Sequence, residues 1–271
     1  MSDEPALITS VSNPLVTHIR KLARRKARVE SGQTFVEGIA TVRQAIESGA
    51  AVETVIITPD LLRSDEAARA AEVAVSRGAT LRRMDAELFK KISTRDHPTG
   101  IAAVVSTADN ALEDIDVDAS SVVVLLDDVA NPGNLGTVAR TADAIGARGL
   151  ILSGATTDPW DPAAIKASMG TLFELPVCKV ATAEAAIDWA RSVGLATIAT
   201  SARAAESIYE ADVSLPALVM FGSEREGLRR ETLAAADLAL RIPIGGHASS
   251  LNLAVAAGIC LFEVARRGRP T

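Results

Sequence analysis

Val122-Val123-Val124-Leu125-Leu126 is a run of five apolar residues, closed by the carboxylates Asp127 and Asp128 and then by a Pro-Gly turn. No other feature limits the fold as much. A strand with one wet face alternates polar and apolar residues, so an unbroken apolar run belongs where both faces are covered. The residues that follow repeat the same logic. A helix comes after the turn, then the strand Gly149–Leu152, a helix near Ala163–Met169 and the strand Leu175–Val180. A helix over Ala183–Ser192 ends at Gly194 and leads into the strand Ala196–Thr200. Strands over Ala217–Phe221 and Leu238–Pro243 precede a final helix from Leu251 to about Ala265. Strands and helices in alternation specify an α/β fold, a mostly parallel sheet with helices on both faces.

The chain ahead of that run reads as a second α/β unit. Ser12-Asn13-Pro14 is a helix start, a capping side chain followed by proline in the first turn. Leu15, Ile19 and Leu22 then share one face at helical spacing. Phe35-Val36-Glu37-Gly38 is extended, and a helix over Ile39–Ser48 is closed by Gly49. The strand Val52–Thr58, a helix over Leu61–Gly78 and the strand Ile101–Ser106 complete the unit. The polar stretch from Ala108 to Ser120 has little to bury. The expected organisation is therefore a domain over 1–108, a linker over 109–120 and a second domain over 121–271.

At 271 residues and 48% hydrophobic content the chain is long enough for a well-buried core and too apolar to be disordered. Two cysteines, Cys178 and Cys260, both in apolar segments, exclude a disulfide scaffold. No run approaches the ~20 apolar residues of a membrane span. Met1-Ser2-Asp3-Glu4-Pro5 lacks the basic-then-apolar order of a secretion signal. A soluble cytoplasmic protein without membrane partners is the expectation.

A net charge of −6 argues against a nucleic-acid partner, but the charge is unevenly spread. Residues 1–110 carry 15 Lys/Arg against 14 Asp/Glu, and the remainder 13 against 20. Within the first part Arg20, Lys21, Arg24, Arg25, Lys26 and Arg28 follow one another with no acid between them. Such a cluster either attracts phosphates or is a solvated basic helix face.

Three loops gather chemistry at the ends of predicted strands. The first runs from Asp127 through Asn131-Pro132-Gly133-Asn134 to Arg140; it enters a helix at about Leu135, with Asn134 at the cap and Gly136 and Arg140 on one face. It has neither the third glycine of a dinucleotide fingerprint nor the Lys-Ser/Thr of a P-loop. Its arginine serves either a site or a surface ion pair. The second, Gly222-Ser223-Glu224-Arg225-Glu226-Gly227, puts Glu224 at the carboxyl edge of the sheet, where open α/β sheets bind ligands. A glycine turn with a solvated Glu-Arg pair is the plain alternative. The third, Ile242-Pro243-Ile244-Gly245-Gly246-His247-Ala248-Ser249-Ser250-Leu251-Asn252, leads into a helix capped by Ser249 or Ser250. His247 has no metal-ligand spacing with His18 or His97, and no metal pattern occurs elsewhere.

In order and spacing these loops resemble the three motifs of the SpoU (TrmH-like) RNA ribose 2′-O-methyltransferases of the SPOUT superfamily. The matching residues are Asn134, Gly136 and Arg140; Gly222, Glu224 and Gly227; and Ile242, Pro243, Ser250, Leu251 and Asn252. Thr34-Phe35-Val36-Glu37-Gly38 and His97-Pro98-Thr99-Gly100-Ile101 resemble the family's L30e-like RNA-binding domain. The resemblance implies a C-terminal SPOUT domain with a deep trefoil knot, which general topology rules would not suggest, behind a small L30e-like domain. It implies S-adenosylmethionine held by Thr200, Ser201, Gly222, Ile242, Ile244, Ser250 and Leu251. It implies a homodimer with the site near the interface, and Lys166 is similar to a position from which the second chain supplies a cation.

The implied reaction is attack of a ribose 2′-oxygen on the sulfonium methyl group, helped by positioning and proton removal. The family assigns 2′-hydroxyl activation to the residue matching Arg140. Because a guanidinium holds its proton tenaciously, a cationic Arg140 that orients the phosphate and the developing alkoxide is favoured over a deprotonated one. Asn134, Glu224, Ser250 and Asn252 are implied to keep arginine, ribose and cofactor in register. With the basic residues Arg20, Arg24, Arg25, Lys26 and Arg28, the L30e-like domain implies a large structured RNA. In the family that is often 23S rRNA and sometimes tRNA, and an antibiotic-resistance branch is also similar. Aromatic residues make up only 3% of the chain, so shape and phosphate contact are expected over base stacking. A non-catalytic RNA-binding protein is the alternative.

Overall fold

A computed structural model describes residues 5–108 and 110–267, and the chain divides into two units. Met1–Glu4 and Asp109, the first residue of the expected linker, lie outside the described residues. One unit comprises the chain up to Ala108 together with Trp160–Phe173; the other comprises the stretch ending at Pro159 and the chain from Glu174 onward.

In chain order the first unit contains β1 (Leu7–Ile8), α1 (Pro14–Leu22), α2 (Arg25–Ser31), β2 (Gln33–Glu37), α3 (Ile39–Glu47) and β3 (Val52–Ile57). It continues with α4 (Asp65–Ser76), β4 (Thr80–Met84), α5 (Ala86–Lys90) and β5 (Ile101–Ser106). Its sheet has the order β1-β4-β3-β5-β2, with β5 antiparallel to both neighbours. Asn13 caps α1 by accepting from the Leu15 amide, with Pro14 in the first turn. The face carrying Val16, Ile19 and Leu22 packs on Phe35, Ile56, Met84 and Phe89. The strand β4 and helix α5 were not expected; Arg82 and Arg83 hide the strand pattern in a sequence search. The basic segment is not one helix. Arg24 is extended, at φ −100° and ψ 130°, and separates α1 from α2.

The second unit begins with β6 (Val122–Asp127), α6 (Pro132–Ile145) and β7 (Gly149–Ser153). The next helix, α7 (Pro162–Ser168), lies in Trp160–Phe173 and so belongs to the first unit. There the Thr34 hydroxyl donates to the Trp160 carbonyl at 2.9 Å, and Trp160 stacks on Phe173. The second unit resumes with β8 (Val177–Val180), α8 (Ala183–Ser192), β9 (Ala196–Thr200), β10 (Glu206–Ser207) and β11 (Ala217–Phe221). It ends with α9 (Arg230–Ala235), β12 (Leu238–Arg241) and α10 (Leu253–Arg267). Its seven strands are all parallel, in the order β10-β12-β9-β11-β6-β7-β8. Every residue of β6 and of its neighbour β11 is buried, which accounts for their unbroken apolar sequences.

The polar stretch from Asn110 is held by the second unit. Asn110 bridges to Cys178 and accepts from the Val177 amide, while Ile115 is buried against Gly149. Among the described residues no helix is long and apolar enough to cross a membrane.

Candidate active site

Because the large sheet is parallel, the loops that follow β6, β9, β11 and β12 all leave from its carboxyl edge. The chain runs outward from β6 to β7 and β8, then returns to build β9, β11 and β12 on the opposite side. β6 and β11 flank that reversal, the topological position at which open α/β sheets receive ligands.

The loop after β6 turns into α6 three residues earlier than expected. Asn131 is the cap; its side-chain oxygen accepts from the Gly133 and Asn134 amides at 2.8 and 3.2 Å, and Pro132 occupies the first turn. The expectation of Asn134 at the cap is thereby corrected. Proline fits a first-turn position, where no amide hydrogen is needed, and that selects the asparagine in front of it. Asn134 sits one turn in, with its side-chain amide free for other use. Its nitrogen donates to Glu224 Oε1 at 3.0 Å, and its oxygen accepts from Asn252 Nδ2 at 3.1 Å.

Glu224 therefore receives three hydrogen bonds from the first loop: the Asn134 amide and the backbone N–H groups of Ala130 and Asn131, at 3.2 and 3.1 Å. Burial pushes its carboxyl up, but these bonds outweigh burial and hold it below the usual carboxylate range. At the other end of the chain of contacts, Asn252 Oδ1 accepts from the Ala254 and Val255 amides and caps α10. Asn252, not Ser249 or Ser250, starts the last helix, which begins at Leu253. One asparagine thus joins three loops separated by up to 118 residues of sequence.

Beside this junction opens a cleft of about 710 Å³. Of the residues expected to hold a cofactor, all seven line it: Thr200, Ser201, Gly222, Ile242, Ile244, Ser250 and Leu251. Glu224 also lines it. Gly222 is required by a close approach: a Cβ there would lie 2.1 Å from the Gly227 carbonyl carbon and the Leu228 nitrogen. Phe221 and Cys260 are buried in the wall, and burial pushes the Cys260 thiol up to about 12, so it stays protonated. Arg203, Arg225 and Arg230 line the cleft as well and were not anticipated. For Arg203 and Arg225 their place shortly after the ends of β9 and β11 was the available signal; Arg230, at the start of α9, offered none.

Arg140 stands apart. It is exposed on α6, does not line the cleft, and makes no hydrogen bond or ion pair with a described residue. Asn134 and Asn252 support the cleft from behind without lining it.

In the first unit, Arg20, Lys21, Arg24, Arg25 and Lys26 are exposed, as is Lys166 on α7. Arg28 is not part of that surface. It is 3% exposed, donating to the Leu22 carbonyl at 2.9 Å and pairing with Asp161 at 3.0 Å. Its partner lies 133 residues away, so adjacency in sequence mistook a buried ion pair for a surface cation. Among the described residues no group of three His, Cys, Asp or Glu side chains is placed to hold a metal.

Comparison with known proteins agrees with this geometry. The SpoU rRNA Methylase family matches residues 121–262, and the MRM3-like substrate binding domain matches residues 13–103. The chain is 31% identical to the 23S rRNA (uridine(2479)-2′-O)-methyltransferase of Streptomyces viridochromogenes over 91% of this chain and 87% of that one. It is 33% identical to the 23S rRNA (guanosine-2′-O-)-methyltransferase RlmB of a Burkholderia species, over 77% and 86%. Its structure is similar to that of the AdoMet-bound rRNA methyltransferase from Sinorhizobium meliloti, with a TM-score of 0.87, 35% identity and coverage of 98% and 99%.

Proposed function

The chain belongs to the SpoU rRNA methylase family, and from that premise we propose that it transfers a methyl group from S-adenosylmethionine to a ribose 2′-hydroxyl of 23S rRNA. The observation that carries the proposal is the convergence of three distant loops, through Asn134, on one cleft at the reversal point of the sheet. The relatives named above methylate 23S rRNA at ribose positions.

The cleft suits the cofactor. Ile242 and Leu251 offer apolar surface for an adenine, Gly222 lets the backbone come close, and the hydroxyls of Ser201 and Ser250 are available to polar groups. Thr200 contributes by position, its hydroxyl donating to the Met220 carbonyl at 2.8 Å. When bound, S-adenosylmethionine supplies an electrophilic methyl group on a sulfonium.

The chain's own residues then have three tasks. Glu224, held ionised, fixes the first loop against the cleft by accepting from Ala130, Asn131 and Asn134. Asn134 and Asn252 are positioning residues that lock this arrangement to the start of α10. Arg140 stays cationic, orients the target phosphate and lowers the energy of the developing alkoxide. The proton leaves to a phosphate oxygen or to water.

The proposal extends to a trefoil-knotted second domain, a cytoplasmic location and a homodimer. Val255 and Phe262, seven residues apart on α10 and 52% and 57% exposed, support a second copy on that helix. Lys166 and the exposed cations of α1 and α2 are assigned to RNA.

Arg140→Ala is expected to bind cofactor nearly normally and to lose methyl transfer. Mapping 2′-O-methyl groups in total RNA from cells with and without the protein gives the target. A site in tRNA would replace 23S rRNA as substrate. Loss of no methyl group, or full activity of Arg140→Ala, would refute the assignment.

A further inference from the structure

The first unit contains a second feature, where Phe35-Val36-Glu37-Gly38 meets the segment that runs from Ser93 towards His97-Pro98-Thr99-Gly100. Glu37 is 7% exposed and its carboxylate turns inward, accepting from the Ser93 hydroxyl at 2.5 Å and the Thr94 amide at 3.0 Å. These bonds fix the segment against β2. Arg95 then folds across Gly38 and donates from Nη2 to the Glu37 carbonyl at 3.0 Å. A Cβ on Gly38 would lie 2.5 Å from that nitrogen, so the glycine is what admits the guanidinium.

Arg95 is one wall of a narrow niche that Thr41, Thr94, Ile165 and Lys166 also line. Its volume of about 20 Å³ admits one oxygen-sized group. Neither Arg95 nor Lys166 makes an ion pair with a described residue, and Arg95 has spent only one of its donors. Thr41 is 3% exposed, yet its hydroxyl makes no hydrogen bond with a described residue. Its oxygen is not sealed from solvent, and on the niche wall it is open to an occupant. Thr41 also lies in the first turn of α3, whose dipole adds positive potential on that side. Two cations, a free hydroxyl donor and a helix start around an oxygen-sized space specify an anion that presents one oxygen.

We infer that this niche takes a non-bridging phosphate oxygen of the RNA backbone, with Lys166 and Arg95 as counter-charges and Thr41 as the hydrogen-bond donor. The inference rests on RNA being the substrate. It assigns Lys166 a partner in its own chain's first unit, with Arg95 as a further RNA contact outside the Arg20–Lys26 cluster. Glu37 also lines the niche and keeps its charge, but its oxygens are turned to Ser93 and Thr94, and the two cations Arg95 and Lys166 leave the niche net positive.

The test uses the full chain and transcribed 23S rRNA, with affinity followed across a salt series. Lys166→Ala and Thr41→Val are the main variants, because Arg95 also braces Gly38 and its loss could disturb folding. Lys166→Ala should weaken binding several-fold at low salt and lower the slope of log affinity against log salt by about 0.7–0.9, the value for one lost phosphate contact. Thr41→Val, nearly equal in shape, should weaken binding without changing that slope. Calorimetry with S-adenosylmethionine should be unchanged in both. Wild-type affinity and slope in both variants would overturn the inference. So would binding of inorganic phosphate that depends on Lys166 and Thr41 while RNA affinity does not. If wild type itself binds neither RNA nor cofactor, it is the methyltransferase reading that fails.

Discussion

Gly222→Ala tests the cleft most directly, because the cost can be worked from the backbone. Gly222 has no special φ; its constraint is space. Residues 223 and 227 form an isolated antiparallel bridge, with the Gly227 amide donating to the Ser223 carbonyl at 3.0 Å, so the loop closes back on Gly222. A Cβ at 222 would meet the Gly227 carbonyl carbon and the Leu228 nitrogen at 2.1 Å and the Gly227 oxygen at 2.3 Å. Ordinary contact begins at 3.4 Å. The two backbone stretches must therefore separate by about 1.3 Å, and forcing such a shift costs about 1–3 kcal/mol. At roughly 3 °C per kcal/mol this lowers the thermal midpoint by about 3–9 °C. Since the loop that moves carries Glu224 and lines the cleft, cofactor affinity should fall at least ~10-fold, the equivalent of about 1.4 kcal/mol. Gly227→Ala is the control: its φ of +73° strains a side chain, but nothing lies within 4 Å of the added carbon. It should cost about 1 kcal/mol and weaken cofactor binding less. Titration calorimetry with S-adenosylmethionine and scanning calorimetry of the same samples provide both readings. A Gly222→Ala protein with wild-type midpoint and wild-type cofactor affinity would show that the loop opens without cost, and the close-approach argument would be wrong.

Glu224 contributes stability through a lowered pKa, so that contribution is complete above the ordinary carboxylate value of 4.5 and disappears as pH falls through the lowered folded value. Acid unfolding of Glu224→Gln should accordingly show a shallower fall in stability below that pH than wild type; identical acid limbs would remove Glu224 from the account. Arg28→Ala should cost about 2–3 kcal/mol, below the ~3–5 kcal/mol of a fully buried pair because Asp161 is partly exposed. Denaturant titration measures it, and a change under 0.5 kcal/mol, the size of an ordinary surface effect, would contradict the burial. Neutralising Arg24, Arg25 and Lys26 together should do the opposite: little change in stability, and a flatter salt dependence of RNA binding by up to about 2–3 in slope. An unchanged slope would return those side chains to a merely solvated face.

The strands of the large sheet were legible because burial on both faces writes itself into composition; β6 and β11 contain almost nothing polar. Strand β4 was not, since Thr80-Leu81-Arg82-Arg83-Met84 buries fully only Met84 and its arginines mask the alternation. The helix starts failed for a different reason. Each of the two site loops offers several capping side chains within four residues, and the geometry of the preceding turn chooses among them. Asn131 was recoverable from Pro132; Asn252 was recoverable from nothing local, because Ser249 and Ser250 cap equally well in principle. Arg28 shows the general limit. Burial by a residue 133 positions away leaves no trace in the neighbouring sequence. For the cleft itself, glycines and strand ends pointed to the right loops, but only the resemblance said that they meet.

Two of the side chains in the junction do double duty, so a single exchange at either breaks two contacts at once. Asn252 uses its oxygen to start α10 and its nitrogen to reach Asn134; Asn134 uses its oxygen for Asn252 and its nitrogen for Glu224. A primary amide is suited to this role, since it offers a donor and an acceptor at one site. Aspartate in either position would keep the acceptor, lose the donor and, at position 134, set a second carboxylate against Glu224. Serine could cap the helix but is too short to span to the next loop. Glu224 is joined by a second tie, from the loop after β11 to the end of β6 itself. Further along the same loop, Arg229 Nη2 lies 3.5 Å from Asp127 Oδ1, a carboxylate 1% exposed that also accepts from the Ser153 hydroxyl at 2.6 Å. With ties at both Glu224 and Arg229, the loop that carries Gly222 is held at two points along its length, and the helix α10 is held to the first loop through Asn252. The cleft is thus assembled by polar contacts from segments that share no local sequence, each of which also serves the fold of its own segment. The same asparagines that start the helices also tie the loops around the cleft, so the fold of these segments and the shape of the cleft depend on common contacts.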